Sequence, residues 1–145
     1  MDFEWLADAL SEQGRVGNLD NASALITTDG EGYPFVCLLS SRQLAVRAHR
    51  VVALVGSRRT IANLERNGRA TLHLIHDGAS VLAKLELKST RLLDAKMLVV
   101  FEVSMLDAER RSTVLTPIKY LLDAEILASE GSTIQEVIGT IEKIE

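Results

Sequence analysis

Cysteine is nearly missing from this chain: Cys37 is the only one in 145 residues. A single thiol excludes an internal disulfide framework and a cysteine-based zinc site. Aromatic residues make up only 4% of the chain, namely Phe3, Trp5, Tyr33, Phe35, Phe101 and Tyr120. A base-stacking platform needs several rings on one face, so that mode of nucleic-acid binding has little to build on. No apolar run approaches the ~20 residues that span a bilayer. The first residues, Met1-Asp2-Phe3-Glu4-Trp5, are acidic where a secretory signal is basic. The expectation is a soluble cytoplasmic protein, in which the Asn21-Ala22-Ser23 sequon carries no meaning. A P-loop, a dinucleotide-binding glycine fingerprint and a Ser-His-Asp arrangement are also missing, which leaves NTPase and hydrolase readings without support.

What is present is ordinary globular composition, 47% hydrophobic and 25% charged. A chain of this length buries roughly 70% of its unfolded surface and needs no covalent staples. It reads as one domain over 1–145, with a core at about 20–122 and a short helix at each end. The net charge of −4 is unevenly spread. Residues 1–41 hold one base and seven acids, residues 42–69 seven arginines and one acid, and residues 70–145 eight bases and twelve acids. The central block is therefore +6 and contains no lysine. Arginine's planar fork suits phosphate and carboxylate. Such a patch inside an acidic protein points to a small anion, because a polyanion would meet the surrounding negative field. A nucleic-acid partner is not expected.

Helical spacing of Phe3, Leu6, Ala7 and Leu10 predicts a helix over 3–13, ended by Gly14 and Gly17. Strands are expected at 22–28 and 33–40, joined by the hairpin turn Asp29-Gly30-Glu31-Gly32. Residues 44–47 read as a short strand and the β-branched run 51–55 as a buried one. A turn at 56–60 leads into a short helix over 61–66, stopped by Asn67-Gly68. A strand at 69–75, a turn at Asp77-Gly78 and an alternating strand at 81–88 follow. Further strands are expected at 98–106 and 113–122, since Pro117 interrupts a helix in the second. Thr133 and Glu136 are spaced as the capping box of a closing helix over 133–143. Antiparallel strands, tight hairpins and few helices predict a mainly β protein, a small barrel or curled sheet with flanking helices.

The segment Gly56-Ser57-Arg58-Arg59-Thr60 is the candidate anion site. A strand running into a helix N-terminus collects unsatisfied N–H groups and positive potential. Ser57 and Thr60 add hydroxyls, and Arg58 and Arg59 add charged forks. The plainer alternative is that Ser57 or Thr60 caps the helix and the arginines are solvated. Cys37 lies in an apolar run with no adjacent His or Asp and reads as a core thiol. His73 and His76 are three apart on an expected strand and point to opposite faces, so a metal pair is not expected. His49 sits between arginines and reads as exposed.

Two stretches together resemble a known family. One is Ala24-Leu25-Ile26-Thr27-Thr28-Asp29-Gly30-Glu31-Gly32-Tyr33-Pro34-Phe35-Val36. The other is Ser57-Arg58-Arg59-Thr60-Ile61-Ala62-Asn63-Leu64-Glu65-Arg66-Asn67-Gly68-Arg69-Ala70. In order and spacing, over about 20–107, they resemble the FMN-binding split barrels related to pyridoxamine 5′-phosphate oxidase. The resemblance implies a split barrel of antiparallel strands, an FMN cofactor and a homodimer with flavin at the interface. It implies FMN phosphate at Ser57, Arg58, Arg59 and Thr60, and it places the ring along the backbone of 36–40, where the residues alone read as an ordinary barrel strand. It puts Asn63 near the flavin or in ordering the loop, where the residue alone reads equally as a polar group on an exposed helix face. Thr60 stands where the family usually has a phosphate-binding lysine, Arg58 where serine is usual and Gly68 in place of a proline.

The implied function is a flavin-dependent oxidoreductase acting on an unidentified small molecule, with no residue standing out as catalytic acid or base. The alternative is a non-enzymatic ligand-binding or sensor protein on the same barrel. It would take another anionic ligand, or haem with His49, His73 or His76 as the axial candidates.

Overall fold

The computed structural model describes residues 3–10, 19–110, 116 and 118–121. The elements in chain order are α1 (Phe3–Ala9), β1 (Leu19–Thr28), β2 (Pro34–Ser40), a 3₁₀ turn (Ser41–Gln43), β3 (Leu44–Arg47) and β4 (Arg50–Val55). They continue with α2 (Arg58–Asn67), β5 (Arg69–His76), β6 (Ala79–Leu93), β7 (Lys96–Arg110) and β8 (Ile118–Leu121). The sheet runs β2-β1-β5-β6-β7-β4-β3, and every described pairing is antiparallel. Ala22 pairs with Ser40 of β2 and with Ile118 of β8, so β8 lies on the edge of β1 that β5 also uses. The terminal strands β2 and β3 are joined by the 3₁₀ turn, and no ladder closes them among the described residues. The result is a mainly β, half-open barrel with two short helices.

Local chemistry explains the turns. Asp29 Oδ1 accepts the N–H groups of Glu31 and Tyr33, both at 2.9 Å, and Gly32 takes φ +88° where a side chain would be strained. Asp77 and Gly78 both have positive φ, as a two-residue hairpin matched to strand twist requires. Buried residues alternate along β5 and the first half of β6: Ala70, Leu72 and Leu74 face inward with Val81, Ala83 and Leu85. Leu25, Leu39, Val51, Val99 and Phe101 join them, with Leu6 from α1, Leu10 just after it and Leu64 from α2. All of Val51–Val55 is buried, because a second cluster of Ala45, Val52, Leu54 and Leu98 covers the other face of β4.

Three boundaries differ from expectation. Helix α2 starts at Arg58 and not at 61, because Ser57 caps it by accepting the Thr60 N–H at 3.2 Å. Strand β1 begins at Leu19, where β8 supplies a pairing partner. Strands β6 and β7 are each 15 residues long and meet at a turn containing Asp94, φ +53°. The far half of β6 has almost no buried residue, so it shows no alternation to read. The helix expected over 133–143 lies outside the described residues, as do 11–13 and most of 113–117. No helix among the described residues is long and apolar enough to cross a membrane.

Candidate functional site

The N-terminus of α2 is where charge, open backbone donors and a cavity meet. Ser57 has extended backbone, φ −73° and ψ 116°, and its Oγ accepts both the Thr60 N–H at 3.2 Å and the Thr60 hydroxyl at 3.0 Å. The Ser57 carbonyl accepts the Ile61 N–H at 3.1 Å. Capping thus uses the donors of Thr60 and Ile61, while Arg58 and Arg59, as the first two helical residues, have N–H groups with no acceptor within the helix. Both arginine side chains are exposed. The Arg59 guanidinium carbon lies 5.8 Å from the centre of the Phe35 ring, within cation–π range.

A cavity of about 360 Å³ opens beside them, lined by Asp29, Phe35, Arg59, Ala62 and Asn63. One wall comes from α2 and the other from the β1–β2 hairpin. The two are tied together. Asn63, 5% exposed, donates Nδ2–H to Thr27 Oγ1 at 3.0 Å. Arg66 donates to Asn63 Oδ1 at 2.9 Å and to the Thr28 carbonyl at 2.7 Å. Asn63 is therefore buried and orders the hairpin; it is not a polar residue on an exposed face.

The five sequence candidates are brought together on one helix with distinct placements. Arg58 and Arg59 face outward, and Ser57 caps. Thr60 is 0% exposed, with its hydroxyl held by Ser57 and bonded to the Cys37 thiol. Burial pushes the Cys37 thiol above 9.0, and the Thr60 hydrogen bond offsets part of that rise. Cys37 packs against the core, as its apolar neighbours predict.

The histidines are dispersed. His73 Nε2 is 2.8 Å from Ser80 Oγ, and His49 is exposed at the β3–β4 turn. His76 sits edge-on to Trp5 with ring centres 5.0 Å apart, and 3.8 Å from Asp8.

Sequence reasoning missed Phe35, Asp29 and Arg66 as parts of this site. Arg59, Ala62, Asn63 and Arg66 recur at intervals of three, one and three, which is one face of a helix. That spacing was the available signal.

No protein-family model matches the chain, and no curated protein matches it. Solved structures do. The flavin reductase of styrene monooxygenase from Pseudomonas putida is 14% identical, with TM-score 0.58 over 71% of this chain and 87% of that one. A Shewanella frigidimarina protein assigned as a flavin reductase with a split-barrel domain is 10% identical, with TM-score 0.53 over 85% and 90%. Group A Streptococcus HupZ is 12% identical, with TM-score 0.58 over 80% and 100%. The chain has the split-barrel fold.

Proposed function

We propose that this protein binds FMN at the α2 N-terminus and works as a flavin-dependent oxidoreductase on a small molecule, as a cytoplasmic homodimer related to the pyridoxamine 5′-phosphate oxidase type. The observation that carries the reading is the start of α2, with its first-turn N–H groups and two exposed arginines, beside a cavity that Arg59 lines, on a fold that the flavin reductases named above share.

The residues fit the phosphate end of the cofactor. The N–H groups of Arg58 and Arg59, the positive end of α2 and two guanidinium forks supply charge-assisted hydrogen bonds to a dianion. Asp29 borders the same cavity, but its Oδ1 is turned into the hairpin by two N–H groups. Ser57 and Thr60 hold the helix start in place, and Asn63 and Arg66 hold the opposite wall. Phe35 gives that wall an apolar face.

A bound flavin supplies the electron transfer; the protein supplies binding, orientation and exclusion of water. A cavity of about 360 Å³ takes the phosphate and its chain but not a three-ring system as well. The ring then lies along β2, the terminal strand, where Val36 and Leu38 are exposed. A second copy of the chain would cover it. The outward sheet face favours that, since Val36, Leu38, Leu82, Met105 and Ile118 are each 38–63% exposed.

Titration of cofactor-stripped protein with FMN, followed by visible absorbance and thermal unfolding, tests the reading. Free ligand at 100 times Kd stabilises by about 2.7 kcal/mol, a rise in Tm of roughly 5–10 °C at this size. No saturable rise refutes the flavin reading and leaves the fold standing. Equilibrium sedimentation with and without FMN tests the dimer.

A further inference from the structure

A second trough, of about 290 Å³, lies on the outward face of the sheet across β1, β5, β6 and β7. The register places Arg69 opposite Glu86 and Thr71 opposite Lys84. Paired residues share a face, so the four side chains form a rectangle with the two cations on its diagonal. Diagonal neighbours on a sheet lie ~7–8 Å apart. One small anion can touch both; Glu86, opposite Arg69 and two residues from Lys84 on β6, offsets one of the two positive charges and leaves the lining at +1. Glu86 is the only acid lining the trough.

Neither Arg69 nor Lys84 makes a side-chain hydrogen bond or ion pair with another described residue, whereas Lys88, further along β6, pairs with Glu102 at 3.2 Å. The trough is also shaped by an irregularity. Lys84 opposes Met105 and Leu85 opposes Val103, which leaves Ser104 as an extra residue in β7. Its Oγ donates to the Lys84 carbonyl at 3.1 Å and so fixes the bulge. Bulges of this kind re-aim side chains beside sites. Ser104, Thr28 and Thr71 bring hydroxyls to the wall, and Ile26 brings an aliphatic surface.

We propose that this trough binds a small anion, a carboxylate or a phosphate monoester. The Arg69 fork takes two of its oxygens, Lys84 supplies the second charge, and the hydroxyls and Ile26 hold the remainder. At about 30 Å³ for each water-sized group there is room for roughly ten non-hydrogen atoms. The site is distinct from the flavin phosphate site. Arg69 follows the C-terminal end of α2, and a ten-residue helix separates its ends by about 15 Å. The inference stands without the flavin reading.

The test is titration with inorganic phosphate and, separately, with acetate, followed by amide NMR shifts of the full chain. The expected result is saturable shifts at Thr71 and Ser104 with one of the anions, which also says whether phosphate or carboxylate is preferred. The affinity falls about tenfold or more in Arg69→Gln and in Lys84→Gln, and stays unchanged in the double variant Arg58→Ala, Arg59→Ala. All four side chains are exposed, and far-UV circular dichroism verifies that each variant folds. The proposal is overturned by the absence of saturable shifts with both anions. It is equally overturned by shifts that survive in Arg69→Gln and Lys84→Gln, or that vanish only in the α2 variant. FMN titration of Lys84→Gln separates the two sites: failure of FMN binding in wild type leaves the phosphate and acetate result untouched.

Discussion

The side-chain amide of Asn63 donates to the hydroxyl of Thr27 at 3.0 Å, across 36 residues of chain and out of contact with water. This bond joins α2 to the β1–β2 hairpin, and Arg66 braces it from the next turn. Removing one partner strands the other in a dry setting. Asn63→Leu is expected to cost about 1–3 kcal/mol, read as a lower urea midpoint with an unchanged slope. The same variant loosens both walls of the cavity and weakens FMN binding beyond its effect on stability.

Arg58 and Arg59 are exposed and act on a ligand more than on the fold. Replacing either by Ala is expected to change stability by no more than ~0.5 kcal/mol. FMN affinity falls about tenfold or more for each in titration calorimetry, and the wild-type affinity weakens as salt rises. Riboflavin, which has no phosphate, binds both variants as it binds wild type.

Ser57→Ala removes the α2 cap and leaves the buried Thr60 hydroxyl with one partner fewer. The expected loss is about 0.5–2 kcal/mol. Ser57→Asp keeps the acceptor and retains most of the stability, but its charge repels phosphate, so thermal unfolding and FMN titration move apart.

Cys37 titrates higher in the folded chain than its ordinary 9.0. The folded state therefore holds the thiol proton more tightly than the unfolded state. That contribution is complete below about 9.0 and is lost as pH rises through the folded value. Cys37→Ala flattens the alkaline limb of a stability–pH curve, and alkylation of native protein by iodoacetamide at pH 8 is slow compared with alkylation in denaturant.

Phe101 is fully buried at the centre of the core and pairs with Val51 on one side and Leu87 on the other. Phe101→Ala is expected to cost about 3–5 kcal/mol, visible as a fall of many degrees in Tm.

Local signals made much of the fold legible. The Asp-Gly turns, the alternation from Val81 to Lys88 and the apolar run Val51–Val55 each report a local geometry. The arm beyond Leu87 was illegible because it buries little, so its side chains are not sorted by face. The start of α2 was misplaced because Ser57, Arg58, Arg59 and Thr60 read alike as turn and as first helical turn; the Ser57–Thr60 bond decides between them. In the site, the arginine block was plain in the sequence. The roles of Phe35 and Thr27 depend on a hairpin folding against a helix some thirty residues away, and spacing along the chain does not encode that contact.

Strand β5 pairs with β6 and β6 with β7 across short turns, whereas β8 reaches back to β1 over about 100 residues. Folding kinetics follow from this. The β5–β6–β7 meander has little loop entropy to overcome and forms its contacts early. The β1–β8 clasp forms last and opens first, so amide exchange at Leu19–Ala22 should run ahead of exchange at Leu72–Leu74. The slowest and most easily undone step is thus the clasp between β1 and β8.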